Sequence, residues 1–144
     1  MKLKETGFNG LVLIKPDVFH DKRGFFFESY NTKKFNEVGI TDHFVQDNHS
    51  SSARGVLRGL HFQRPPYAQS KLVRVLRGVI LDVVVDLRLN SKTFSRHYSV
   101  ELSYENNFQL YAPKGFAHGF VALSEYADLF YRCDALTIKR VKEE

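Results

Sequence analysis

The stretch VILDVVVDLR, from Val79 to Arg88, decides the fold class. Every second side chain in it is apolar, at Val79, Leu81, Val83, Val85 and Leu87, and the polar Asp82, Asp86 and Arg88 fall in the gaps. A period of two is typical of a β-strand that lies between a core and a polar space. We expect the apolar face of this strand to point into the core and its carboxylates to face the polar side.

Similar patterns on both sides of this stretch predict further strands. Alternation between apolar and polar residues predicts strands at 98–103, 108–112, 116–123 and 129–133, with a turn at Pro113-Lys114-Gly115. A single short helix is predicted from Thr32 to Val38, with Asn31 as its N-cap and Gly39 as its stop. Many short strands with almost no helix indicate an all-β antiparallel sandwich or barrel. A chain of 144 residues is long enough for one core and too short for two, so we expect a single domain over 1–144.

The composition excludes several classes of protein. With 43% hydrophobic and 26% charged residues, the chain has the composition of an ordinary globular protein. No apolar run approaches the ~20 residues of a membrane helix, and the N-terminal MKLKETGFNG lacks the apolar core of a signal peptide. Because the lone Cys133 also fits a reducing compartment, we expect a cytoplasmic protein. The net charge of +5 is scattered among acidic residues, which favours a small anionic ligand over a nucleic acid.

Several ionisable residues lie among apolar neighbours, and these are the candidates for a site. His61 interrupts the apolar stretch GVLRGLHFQ, His118 shares a strand face with three apolar residues, and Tyr131 lies between Leu129 and Cys133. Others within or beside apolar runs are Arg23, Arg58, Lys71 and Asp82. One such residue is usually a hydrogen-bonded core residue, but burying this many is costly unless they face a wet cavity. The pattern therefore predicts a small β-barrel with a polar interior.

A metal site is one alternative for this interior. Metal-binding barrels of the cupin type offer two histidines one residue apart, then a glutamate and a distant histidine. Here His61 is followed by Phe62 and Gln63, so the second ligand is lacking and His118 has no carboxylate partner in the pattern. We expect neither a metal nor another cofactor.

A phosphate group on the ligand would be held by side chains, because the chain has no P-loop or dinucleotide glycine pattern. Arginine is suited to bidentate contact with a diphosphate. The stretch DKRGFFFE, from Asp21 to Glu28, places Arg23 beside a glycine and three rings. This arrangement suits an anion that carries a stackable base, although it also fits an edge strand whose phenylalanines pack inward.

Longer motifs resemble one known family. In order and spacing, the chain is similar to the dTDP-4-dehydrorhamnose 3,5-epimerases at DKRGFFFESYN, FVQDNHSSSARGVLRGLHFQ, AQSKLVRVLRGVILDVVVDLR, LSYENNFQLYAPKGFAHGF and Tyr131. The resemblance covers about residues 8–133. It implies a cupin-like jelly-roll barrel that needs no metal, usually a homodimer with exchanged strands. The implied substrate is a nucleotide-diphospho-4-keto-6-deoxysugar, such as dTDP-4-dehydro-6-deoxy-D-glucose, used in rhamnose or deoxysugar synthesis.

The same resemblance implies a role for each candidate residue. His61 matches the base that removes a proton α to the C4 ketone, and Tyr131 matches the acid that returns a proton to the opposite face. Lys71 matches the cation that stabilises the enolate at O4, with Asp82 positioned to orient Lys71 and His118 near the same oxygen. Diphosphate contacts are implied for Arg23 and Arg58. The nucleotide and sugar pocket is implied to include Phe26, Glu28, Gln46 and Asn48, some of them from the partner subunit.

The resemblance ends near Cys133, where the chain continues as DALTIKRVKEE. The family pattern implies a longer C-terminal segment whose Asp hydrogen-bonds the catalytic histidine, and a second Tyr near the position of Thr137. Asp47 and Asp134 are the candidates that would replace this Asp. The alternatives are a weakly active enzyme, an epimerase for one carbon, a non-catalytic nucleotide-sugar-binding protein and a metal-dependent cupin enzyme.

Overall fold

Antiparallel strands make up most of the computed structural model, which describes residues 1–139 and the strand backbone of 142–143. The strands are β1 (Lys2–Glu5), β2 (Val12–Lys15), β3 (Phe19–Asp21), β4 (Gly24–Phe26), β5 (Gln46–Ala53), β6 (Leu57–Gln63), β7 (Lys71–Arg77), β8 (Val79–Asp86), β9 (His97–Ser103), β10 (Gln109–Ala112), β11 (Phe116–Ala122), β12 (Tyr126–Cys133) and β13 (Lys142–Glu143). One sheet has the order β1-β2-β10-β7-β12-β5, and a second has the order β13-β6-β11-β8-β9. The β3–β4 hairpin forms a separate two-stranded sheet.

The apolar core lies between the two large sheets. The six-stranded sheet contributes Val73, Leu110 and Leu129, and the five-stranded sheet contributes Ile80, Val84, Leu102, Phe116 and Phe120. Most of these side chains are fully buried. At about 25 cal/mol per Å² of apolar surface, their burial is the main favourable term in folding. The all-β antiparallel class predicted from the sequence is therefore confirmed.

The face of β8 that points inward is the opposite of the one expected. Ile80 and Val84 are buried on the same face as Asp82 and Asp86, which are both 0% exposed, while Val79 and Leu81 are only half-buried. The expectation was wrong because each carboxylate finds partners inside the fold. Asp86 accepts hydrogen bonds from Arg88 and Ser91, and Asp82 is bonded to His118.

The predicted helix is confirmed as α1 (Thr32–Glu37), one residue shorter than expected. The Asn31 side chain accepts a hydrogen bond from the Lys34 N–H, as an N-cap does, and Gly39 follows with φ +92°. Phe35 packs against Ile14 and Tyr111 of the six-stranded sheet. Within the described residues, no helix has the length and apolarity that a bilayer crossing requires.

Candidate active site

A cavity of about 190 Å³ opens between the two sheets. Its lining comprises Asn48, His49, Ser50, Arg58, His61, Lys71, His118, Gly119, Phe120, Leu129 and Tyr131. Six of the eleven predicted site residues line it: Asn48, Arg58, His61, Lys71, His118 and Tyr131. The polar barrel interior expected from the sequence is therefore present.

His61 and Tyr131 reach this cavity from opposite sheets. His61 lies on β6 of the five-stranded sheet, where it is paired in register with His118 of β11. Tyr131 lies on β12 of the six-stranded sheet, paired with Asn48 of β5 and Val73 of β7. An imidazole and a phenol therefore border the same space from two sides.

Two glycines bring β6 and β11 close together beside His61. A Cβ on Gly119 would lie 2.7 Å from the Arg58 carbonyl oxygen, and a Cβ on Gly59 would lie 2.6 Å from Gly119 Cα. The pairing of β6 with β11 shifts register at this point, between His118 and Phe120. Gly59 and Gly119 are therefore required for the strand approach that sets Arg58 and His61 in the cavity wall.

His118 and Asp82 form a buried pair at the back of the cavity. Nε2 of His118 lies 2.6 Å from Oδ1 of Asp82, and the two side chains are 6% and 0% exposed. Oδ2 of Asp82 is buried and has no hydrogen-bond partner among the described residues. The bond to Asp82 fixes the orientation of the imidazole, as carboxylates do for histidines at many sites. The predicted role of Asp82 in orienting Lys71 stays a prediction.

Lys71 and Tyr131 are in contact on the six-stranded sheet. Nζ of Lys71 lies 5.3 Å from the centroid of the Tyr131 ring, and Lys71 is 8% exposed. Burial raises the pKa of Tyr131, and a hydrogen bond with Asn48 acts in the opposite direction. The phenol is therefore in its protonated form at neutral pH, the form that carries a proton to donate. The cavity thus combines an amine, a phenol and imidazoles within about 190 Å³.

Two of the predicted ligand-binding residues have polar partners near the cavity. Nε of Arg58 donates to Ser52 Oγ over 2.9 Å, which holds the guanidinium along the cavity wall. The amide of Gln46 lies beside the cavity, where its Nε2 donates to Asn48 Oδ1 and to Thr137 Oγ1. Gln46 is therefore linked to a lining residue but does not itself line the cavity.

Three predicted residues lie elsewhere in the chain. Arg23 is paired with Asp21, and its side chain is 90% exposed. Phe26 and Glu28 line a different cavity, of about 360 Å³, next to the β3–β4 hairpin and α1. Phe26 is 71% exposed and Phe19 on the same hairpin is 65% exposed. The structure therefore does not bring the hairpin residues together with His61 within one chain.

Sequence reasoning missed Ser50 and His49, which line the cavity from β5. Oγ of Ser50 is buried and has no hydrogen-bond partner among the described residues. Strand β5, QDNHSSSA, is polar except for its last residue, so no hydrophobic period marked it as a strand. What identifies β5 as a strand is its antiparallel pairing with β12, and that pairing is visible only in the structure.

The two carboxylates suggested as replacements for the Asp of the family pattern are engaged with other groups. Asp134 Oδ1 accepts a hydrogen bond from the Ser70 N–H, and its Oδ2 lies 3.5 Å from Lys114 Nζ. Asp47 lies 3.5 Å from Arg132 Nε. Their role as partners of His61 stays a prediction. In the described part of the chain, no group of three or more His, Cys, Asp or Glu side chains is arranged to hold a metal ion.

A larger cavity, of about 600 Å³, lies on another side of Lys71. It is lined mainly by apolar and cationic residues, among them Phe62, Pro66, Leu89 and Arg64. Its described lining contains no histidine, tyrosine or carboxylate. Of these two cavities, the one of about 190 Å³ has the imidazole and phenol groups.

Comparison with known proteins gives one consistent result. A family model described as dTDP-4-dehydrorhamnose 3,5-epimerase matches residues 5–143, so the match continues past Cys133. The chain is 54% identical over 129 residues to the dTDP-4-dehydrorhamnose 3,5-epimerase of Salmonella typhimurium, covering 89% of this chain and 70% of that protein.

Solved structures agree with this match. The chain superimposes with a TM-score of 0.93 and 54% identity on the dTDP-4-dehydrorhamnose 3,5-epimerase of Elizabethkingia anophelis, covering 99% of this chain and 78% of that one. It superimposes with a TM-score of 0.94 and 48% identity on a Legionella pneumophila 3,5-epimerase in complex with dTDP-4-keto-L-rhamnose, covering 98% and 75%. The expected cupin-like jelly-roll fold is therefore confirmed.

Proposed function

We propose, since the chain belongs to the dTDP-4-dehydrorhamnose 3,5-epimerase family, that it inverts C3 and C5 of dTDP-4-dehydro-6-deoxy-D-glucose. Members of this family are isomerases of sugar nucleotides. The observation that carries the proposal is that His61 and Tyr131 line one cavity from opposite sheets, with Lys71 beside them. Groups on two sides suit epimerisation, because a proton leaves one face of the sugar and another arrives on the opposite face.

His61 acts as the base in this proposal. The hydrogens at C3 and C5 lie α to the C4 ketone, so their removal leaves an enolate with its charge on O4. Imidazole is suited to removing such a proton, because its unperturbed pKa of about 6.5 lies near neutral pH. His61 is half-buried at the cavity wall, which leaves its ring accessible to a bound sugar.

Lys71 stabilises the enolate. A fixed cation next to O4 lowers the barrier most in a site that excludes water, and Lys71 is almost fully buried. His118 contributes from the other sheet, where Asp82 holds its ring in place. Removing one such stabilising group typically costs about 10²–10³ in kcat.

Tyr131 acts as the acid on the face opposite His61. Its phenol lies against Lys71 and its ring centroid is 6.3 Å from that of His118. The phenol is protonated at neutral pH, and burial raises the pKa of Tyr131 further. Once the phenol has delivered its proton, the configuration at the carbon is inverted.

The size of the cavity indicates which part of the substrate it holds. Ligand pockets for whole drug-sized molecules measure about 300–1,000 Å³, whereas this cavity measures about 190 Å³. It therefore accommodates the sugar, and the diphosphate and base lie outside it. In this proposal Arg58, which lines the cavity wall and donates to Ser52, holds the diphosphate.

A homodimer completes the site in this proposal. Arg23, Phe26 and Glu28 lie outside the His61 cavity of their own chain, on or next to a hairpin that exposes Phe19 and Phe26. Exposed apolar side chains of this kind often mark an interface. We propose that the hairpin of each protomer reaches the nucleotide at the other protomer's cavity. Sedimentation of the purified protein, with a Phe19→Ser/Phe26→Ser variant as comparison, tests this: a wild-type monomer would contradict it.

The remaining expectations belong to the same proposal. Residues 1–144 act as a single cupin-like domain, which works in the cytoplasm and needs neither metal nor other cofactor. Nucleic acid and membranes are not expected partners. Activity that survives exhaustive chelation, measured against a chelator-free sample, supports the metal-free reaction; its complete loss and recovery with a divalent metal would favour a metal-dependent cupin enzyme.

Incubation with the 4-keto sugar nucleotide in heavy water tests the function. We expect deuterium at C3 and C5 with the wild-type protein and none with His61→Ala. His97→Ala is the matched control, since His97 is an exposed histidine at the start of β9, and it is expected to behave as wild type. Deuterium at C3 alone would indicate an epimerase for one carbon. Binding without uptake at either carbon would favour a non-catalytic sugar-nucleotide-binding protein.

A further inference from the structure

Residues 135–138, which follow β12, form a short segment that we call the strap. It passes the end of the cavity, where Thr137 borders a small void of about 20 Å³ together with His61, Lys71 and Tyr131. Both Leu136 and Thr137 are exposed on the outer side. The function proposed above gives no role to Thr137.

Glutamine side chains hold the strap to both sheets. Gln63 of β6 donates to the Leu136 carbonyl and accepts from the Ile138 N–H over 2.7 Å. Gln69, in the loop before β7, donates to the Ala135 carbonyl over 2.8 Å and lies 3.3 Å from Thr137 Oγ1. The strap is thus held in place by side-chain amides at several points.

Gln46 connects the strap to the cavity. Its Oε1 accepts from the Thr137 N–H over 3.1 Å, and its Nε2 donates to Thr137 Oγ1 over 2.9 Å. The same Nε2 donates to Asn48 Oδ1 over 3.1 Å. Thr137 therefore fixes which end of the Gln46 amide faces Asn48.

The orientation of the Gln46 amide determines the orientation of the Asn48 amide, which lies next to Tyr131. Because Asn48 Oδ1 accepts from Gln46, the Nδ2 end of the amide is turned toward the interior, where it lies 4.0 Å from Cys133 Sγ. Asn48 and Tyr131 are directly paired in register on β5 and β12, and both side chains line the cavity. Hydrogen bonds therefore run from the strap through Gln46 to Asn48, the residue paired with Tyr131.

We propose that Thr137 is a positioning residue for Tyr131, acting through the amides of Gln46 and Asn48. The proposal rests on the function given above, in which Tyr131 returns the proton. Without the Thr137 hydroxyl, Gln46 loses one of its two anchors and can turn its amide, and Asn48 then no longer has a fixed donor toward the phenol. Proton delivery by Tyr131 slows, whereas proton removal by His61 on the other sheet is unchanged.

The test compares Thr137→Val, which has the same shape but no hydroxyl, with Thr137→Ser, which keeps the hydroxyl. In heavy water, each turnover either inverts the carbon or exchanges its hydrogen with retention. For Thr137→Val we expect the ratio of exchange with retention to inversion to rise about three- to tenfold, the range that one lost hydrogen bond gives. Thr137→Ser is expected to restore the wild-type ratio. Thr41→Val is the matched control and is expected to leave it unchanged, because Thr41 is an exposed threonine outside the strap and its hydrogen bonds.

A second readout does not depend on turnover. Side-chain amide protons of Gln46 and Asn48, observed by NMR, are expected to exchange faster in Thr137→Val than in wild type or Thr137→Ser. An unchanged ratio and unchanged amide exchange in a folded Thr137→Val protein would overturn the inference. If the wild type shows no turnover but amide exchange still depends on the Thr137 hydroxyl, the proposed function is wrong. The inference that Thr137 orients the Gln46 and Asn48 amides would then still hold.

Discussion

Nε2 of His118 lies 2.6 Å from Oδ1 of Asp82, and both side chains are buried behind the cavity that His61 and Tyr131 line. The pair joins β11 to β8, two neighbouring strands of the five-stranded sheet. It therefore links the wall of the cavity to the centre of the core.

This pair is expected to be coupled energetically. A double-mutant cycle with Asp82→Ala and His118→Ala, followed by urea unfolding, should give each single variant a loss of about 1–3 kcal/mol, because each leaves a buried polar group without its partner. The double variant should lose clearly less than the sum of the two. Additive losses would show that the short contact does not stabilise the fold.

Gly119→Ala should damage both the fold and the site. The new Cβ would lie 2.7 Å from the Arg58 carbonyl oxygen, so β6 must move away from β11 at a cost of about 1–3 kcal/mol. Arg58 and His61 would move with β6, and epimerase activity should fall. Gly55→Ala is the control: its Cβ meets nothing within 4 Å, and its φ of +83° costs about 1–2 kcal/mol without moving the site. Wild-type activity and stability in Gly119→Ala would contradict the close approach.

Asp86 should make the fold sensitive to acid. Burial alone would raise the pKa of this carboxyl, but hydrogen bonds from Arg88, Ser91 and Thr93 outweigh burial and hold the pKa well below its usual range. A depressed pKa means that the unfolded chain binds more protons, so the stabilisation is complete above the unfolded value of about 3.9 and is lost as the pH falls below it.

Urea unfolding between pH 6 and 3 checks this effect. We expect Asp86→Asn to be about 2 kcal/mol less stable than wild type at pH 6. The difference between the two proteins should shrink as the pH falls below about 4. A difference that stays constant down to the lowest pH would show that ionisation of Asp86 does not stabilise the fold.

Cys133 should be unreactive in the folded protein. It is the chain's single cysteine, it is 0% exposed, and burial raises the pKa of its thiol to about 11. Relative to a free cysteine of pKa about 8.5, the thiolate fraction at neutral pH is roughly 300-fold lower. Ellman's reagent is expected to label the protein only after unfolding in urea. Prompt labelling of one thiol per chain in native buffer would contradict the packing of β12.

The period of two along 79–88 was enough to predict a strand, but it could not show which face is buried. Apolar residues are normally found inside, and the sequence does not reveal that His118 and Arg88 will meet the two carboxylates. Strand β5 escaped notice because its residues are polar on both faces, and its place is set by pairing with β12. Sequence pattern reports local burial, whereas these features depend on partners distant in the chain.

In the candidate site, too, the sequence indicated individual residues but not their arrangement. His61, His118 and Tyr131 stood out in the sequence as ionisable groups among apolar neighbours, and all three line one cavity. Their facing arrangement depends on how the two sheets pack, which no local pattern reports. The hydrogen bonds from Thr137 through Gln46 to Asn48 involve exposed and half-buried residues of ordinary type, so nothing in the sequence marked them.

The central claim is that His61 and Tyr131 act on opposite faces of one sugar, and Tyr131→Phe in heavy water tests it most directly. This variant keeps the ring and the base but has no proton to deliver. We expect it to incorporate deuterium into the substrate with retention at C3 and C5 while forming at least about 100-fold less inverted product than wild type. Inverted product formed at the wild-type rate, or loss of exchange and inversion together in a folded variant, would contradict the account.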